Sequence, residues 1–70
     1  MTLDEMVVDK FGTQQNCANK LNWSRQKLNN IVRGKQMNVS VKDAEDLAQG
    51  LDIWLELVAQ KILQAQSTKL

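Results

Sequence analysis

The side chains best suited to specific chemistry lie between Thr13 and Lys35, in TQQNCANKLNWSRQKLNNIVRGK. Within it, Gln26, Asn29, Asn30 and Arg33 recur at helical spacing, so one face of a helix gathers three amides and a guanidinium. Leu28, Ile31 and Val32 fall on the opposite side, with Arg25 and Lys27 on the borders. Amide side chains can bond adenine bidentately and a guanidinium can do the same with guanine, because each offers two polar atoms to one base edge. A face of this composition without a carboxylate suits the DNA major groove. An ordinary solvated helix is the plainer alternative.

The distribution of charge favours the first reading. Seven basic residues (Lys10, Lys20, Arg25, Lys27, Arg33, Lys35 and Lys42) lie between positions 10 and 42, and no acid joins them. That window carries +7 and the flanks −6, which together make the net charge of +1. A basic centre between acidic flanks is the pattern expected of one surface that meets phosphate.

Other chemistry is poorly provided for. With no His and a single cysteine, Cys17, the chain lacks the ligands of a zinc site and the base of a serine or cysteine triad. Cys17 reads as a small core residue rather than a nucleophile. No enzymatic activity, cofactor, metal or small-molecule ligand is expected. No apolar run exceeds three residues, so no membrane span is expected. Asp4, Glu5 and Asp9 interrupt the first ten residues, so no secretory leader is expected either, and a lone cysteine suits a reducing cytoplasm.

Five short helices should position these groups. Thr2 and Glu5 form a capping box before a helix with Leu3, Met6 and Val7 inward, ending near Gly12. Thr13 caps a second helix with Cys17, Ala18 and Leu21 inward, and Asn22 turns the chain. Ser24 caps the third, which Gly34 ends. Ser40 and Asp43 make a second capping box, before a helix with Val41, Ala44, Leu47, Ala48 and Leu51 inward. Asp52 is expected to cap a fifth helix from Ile53 to about Gln66, its polar end fraying. This gives one domain over 1–66 and a frayed 67–70. The fifth helix is more apolar than one buried stripe requires, and Trp54, Leu57, Val58, Ile62 and Leu63 are the expected dimer contact.

Together the residues resemble the lambda-repressor-like helix-turn-helix family of phage repressors and all-helical Cro proteins. The resemblance rests on Thr13-Gln14, Ala18, Leu21, Leu28, Ile31 and Gly34, then Leu47-Ala48, Leu51 and 52–55, over roughly residues 3–57. It implies a compact all-α, five-helix domain whose second and third helices form the helix-turn-helix. It also implies a DNA-binding transcriptional regulator, most simply a repressor, encoded by a bacterium or phage and acting in the cytoplasm. By position, Gln14 resembles the family glutamine that bridges a phosphate and the recognition side chains, while Ser24, Arg25, Gln26, Asn29 and Asn30 fall where bases are contacted. Arg33 falls where base or backbone contacts vary. The phosphate set then comprises Thr13, Asn16, Lys27, Arg33, Lys35, Gln36 and Asn38. The implied partner is double-stranded DNA with a near-palindromic operator, bound by a homodimer whose recognition helices sit roughly 34 Å apart. Asn22 stands where the family usually has Gly, and Trp23 where it has a smaller apolar residue. Trp23 is expected in the core, with contact at the DNA edge as the alternative. A second reading keeps the fold but makes the chain an antirepressor or antitoxin that binds another protein through helix five.

Overall fold

A computed structural model describes residues 1–67. Its elements are α1 (Leu3–Phe11), α2 (Gln14–Leu21), α3 (Arg25–Val32), α4 (Val41–Leu51) and α5 (Leu55–Ser67), with no strand among the described residues. None of these helices is long and apolar enough to cross a membrane.

Local chemistry sets most of the boundaries. Thr2, Thr13, Ser24 and Ser40 take extended backbone, and each hydroxyl accepts from the amide three residues on. Such a cap contributes about 1 kcal/mol against alanine. At Thr2 the box is complete, since its amide donates to Glu5 Oε1 at 3.0 Å. That bond to the backbone holds the Glu5 carboxyl below its ordinary range. The C-terminal ends are just as local. After α2, Asn22 adopts φ 59°, its amide bonds Asn19 O, and the Trp23 amide bonds Ala18 O. The same paired closure recurs with Gly34 and Lys35 after α3, and with Asp52 and Ile53 after α4.

Asp52 therefore ends α4 instead of starting α5, which begins three residues later at Leu55. Its left-handed backbone (φ 57°) prevents it from serving as the extended N-cap expected from the sequence. The far end of α5 is more regular than expected: the helix continues through Gln64 to Ser67, whose hydroxyl donates to Leu63 O. Residues 68–70 of the expected frayed end lie outside the described residues.

α1 packs against all four other helices, and α5 closes the bundle over α1, α3 and α4. The core comprises Leu3 and Val7 of α1, Cys17 and Ala18 of α2, and Leu28, Ile31 and Val32 of α3, with Ala44, Leu47, Ala48 and Leu51 of α4 and Val58 and Ile62 of α5. Leu21 and Trp23 pack against it while half-buried. Two expectations fail here. Val41, one turn before Ala44, stands at the rim of an open groove bordered by Met37, Leu55 and Leu63 and stays exposed. Val58 and Ile62, expected at a dimer surface, are buried, because they form the i, i+4 stripe that α5 turns onto the bundle.

Two close approaches fix how the loop after α3 meets α5. A Cβ at Gly34 would collide with the Ala65 carbonyl and the Gln66 amide nitrogen, and φ there is +74°. Only glycine meets both conditions without strain. From the other side, Gln66 Nε2 donates to the carbonyls of Gln36 and Met37, both at 3.0 Å.

The division of α5 is testable by thermal or denaturant unfolding. Ile62→Ala is expected to lower stability by about 2–5 kcal/mol, the usual cost of emptying a buried aliphatic site. Leu63→Ala, on the exposed side, should change it by less than about 0.5 kcal/mol.

Candidate nucleic-acid interface

Burying Leu28, Ile31 and Val32 turns the other side of α3 outward. Arg25, Gln26 and Arg33 are exposed, and Asn29 and Asn30 are half-buried. Gln14, in the first turn of α2, joins this face: Asn29 Nδ2 donates to Gln14 Oε1 at 3.0 Å. The α2–α3 pair thus presents one continuous polar surface, closed by the Asn22–Ser24 turn. Ser24 Oγ accepts from the Lys27 amide, which leaves its hydroxyl proton free for an outside acceptor.

Acids from the flanks reach into this surface. Gln14 Nε2 donates to Asp4 Oδ1 at 2.7 Å, and Arg33 Nη2 lies 3.5 Å from Asp4 Oδ2. Lys27 Nζ bonds Asp43 Oδ1 at 3.1 Å and sits 4.5 Å from the centre of the Trp23 ring. The Asp43 carboxylate takes that ammonium, while Ser40 still caps α4 through the Asp43 backbone amide. Lys42 lies 3.8 Å from Asp46. Three of the seven basic residues in the window are therefore paired. Lys10, Lys20, Arg25 and Lys35 form no ion pair among the described residues.

The residues expected to meet phosphate differ in what already holds them. Lys27 is not a free cation, because Asp43 and the Trp23 ring hold its ammonium. Arg33 is exposed but shared with Asp4. Thr13 Oγ1 accepts from the Asn16 amide, which leaves its hydroxyl proton as free as that of Ser24, and Asn16 Nδ2 donates to Phe11 O at 3.0 Å. Gln36 Nε2 donates to Asn38 O within the loop. Lys35 and Asn38 are exposed on that loop. Trp23 is half-buried against the core, as expected, and one face of its ring lies under the Lys27 ammonium.

The expected dimer residues do not form one patch. Trp54 and Leu57 border a depression with Ile53 and Gln60 on one flank of α5. Leu63 borders the groove on the other flank. Between them, inward, lie the buried Val58 and Ile62. Trp54 is the most open of the set, with 81% of its surface exposed.

No local spacing pointed to Asp4, Asp43 or Gln66 at this surface. They act across 10 to 30 positions. Asp4 and Asp43 already had a local explanation in first turns of helices, where negative charge is favourable.

No group of His, Cys, Asp and Glu among the described residues is arranged to hold a metal. Cys17 is fully buried, and loss of solvent pushes its thiol from the ordinary value of 9.0 to about 11. The protonated form therefore prevails at neutral pH. Because the unfolded chain ionises first, folded-state stability is expected to fall as pH rises from 9 toward 11. A thiol reagent at pH 8 should label Cys17 only as fast as the domain opens, and labelling faster than amide exchange of core residues would contradict this burial.

Comparison of the chain with protein-family models, with curated proteins and with solved structures finds no match.

Proposed function

We propose that this protein is a sequence-specific binder of double-stranded DNA, built as a lambda-repressor-like helix-turn-helix domain and acting as a transcriptional regulator, most simply a repressor. The observation that carries the reading is the Gln14–Asn29 bond, which joins the start of α2 to the exposed face of α3 in one amide- and guanidinium-rich surface. With α3 in the major groove, Gln26, Asn29 and Arg33 lie along the helix at positions able to reach successive base edges, and Arg25 borders them. Lys35 and Asn38, exposed on the loop held by Gln66, are the proposed contacts to the backbone. Phosphate contacts set position and strength, whereas base contacts set sequence.

Binding is expected as a two-fold dimer on a near-palindromic site, which repeats one recognition helix per half-site. The exposed residues of α5, Trp54 and Leu57 on one flank and Leu63 on the other, offer the surface for it. The 81% exposure of Trp54 equally favours the second reading, an interaction module for a different protein. Catalysis and cofactor binding have no place in either proposal.

Selection of bound sequences from a random DNA pool tests the main reading, with a palindromic motif as the expected outcome. Lys35→Ala should weaken binding to all sequences alike and flatten the slope of log affinity against log salt by about 0.9, the share of one phosphate. Gln26→Ala should lose discrimination at one base position, about 1–3 kcal/mol, with the melting temperature unchanged. Affinity independent of salt would exclude DNA binding by this surface.

Assembly can be tested separately. Trp54→Ala removes an exposed side chain, so the fold should be retained while the sedimentation coefficient shifts from dimer to monomer and operator affinity drops at least tenfold. A wild-type protein that stays monomeric both free and on DNA would transfer Trp54 to the second reading.

A further inference from the structure

We propose that Asp4 is a positioning residue for base recognition, setting which end of the Asn29 amide faces the DNA. The inference rests on the DNA-binding reading and identifies a determinant outside the two helices that carry it.

A side-chain amide has a donor end and an acceptor end of nearly equal shape, so only its hydrogen-bond partners decide its direction. A carboxylate accepts and cannot donate. Asp4 Oδ1, 2.7 Å from Gln14 Nε2, therefore requires the NH2 end of Gln14 to face α1. Gln14 Oε1 must then face α3, where it accepts from Asn29 Nδ2 at 3.0 Å. The Asn29 amide is thereby fixed with its nitrogen toward Gln14, leaving Oδ1 and the second N–H for an outside partner. Adenine offers a donor at N6 beside an acceptor at N7 in the major groove, so the direction of an amide determines how it can pair. Asp4 itself is held by Arg33, whose Nη2 lies 3.5 Å from the other carboxylate oxygen. The chain of bonds runs in one direction, from the acid on α1 through α2 to α3.

Both partners of the relay are half-buried, which limits replacement of these bonds by water. Asp43 reaches the border of the same surface through Lys27, whereas Asp4 is the acid bonded to the Gln14 amide. An acid beside phosphate-seeking groups weakens binding to every sequence.

The experiment measures affinity of the full chain for the selected operator and for operators changed at each position, in wild type, Asp4→Ala, Gln14→Ala and the double variant. Asp4→Ala is expected to reduce discrimination at one base position on the order of tenfold and to leave other positions unchanged. In the Gln14→Ala background the same substitution should have no further effect on discrimination, since the relay is already broken. Without DNA, the side-chain amide resonances of Gln14 and Asn29 should both move between wild type and Asp4→Ala. Asp4→Asn, which keeps the shape and can accept or donate, should give a smaller loss, and it serves if Asp4→Ala does not fold. A uniform gain in affinity for all sequences with discrimination intact would overturn the proposal, leaving Asp4 as a mere charge. Wild-type protein without sequence preference would overturn the DNA-binding reading itself, and with it this inference.

Discussion

An eight-residue helix is not stable alone in water, because nucleation fixes several residues before hydrogen bonds repay the entropy. α3 exists because Leu28, Ile31 and Val32 are buried, and the rest of the bundle is arranged to receive them. α1 contacts every other helix, Ala18 lets α2 come close, and α5 covers the remaining side. Burial at i, i+3 and i+4 leaves Gln26, Asn29, Asn30 and Arg33 no orientation except outward. The polar surface is thus a consequence of the core, rigid to the extent that the core is packed.

Around that surface the charge is organised by folding. The acids of both flanks return to the basic centre, Asp4 to Arg33, Asp43 to Lys27 and Asp46 to Lys42. Exposed ion pairs of this kind add little to stability. Their effect is to set which cations are free. Lys27, stacked on Trp23 and paired with Asp43, braces the first turn of α3. Lys10, Lys20, Arg25 and Lys35 form no ion pair among the described residues, so the free positive charge is smaller than the linear window suggests.

α5 serves two purposes along one length. Its inner stripe, Val58 and Ile62, completes the core, and Gln66 with the Ala65 backbone fixes the loop after α3. Its flanks carry Trp54 and Leu57 on one side and Leu63 on the other. These flanks and the contacts that hold the loop therefore lie on one helix.

Sequence pattern alone specified the five helices, four N-caps and the polar face of α3, because each depends on residues within one or two turns. Hydroxyls at Thr2, Thr13, Ser24 and Ser40 reach only the amides three positions on, and the 3.6-residue period sorts α3 without reference to anything else. It misassigned Asp52, since aspartate suits both an extended N-cap and a left-handed C-cap and the preceding helix claimed it first. It also placed Val58 and Ile62 outside, because apolar residues all round a helix do not reveal which stripe the other helices will cover. The partners of Gln14, Arg33, Lys27 and Gln66 emerge from packing. Those bonds join positions far apart in the chain, and their existence depends on where α1, α4 and α5 come to rest, which no local spacing encodes.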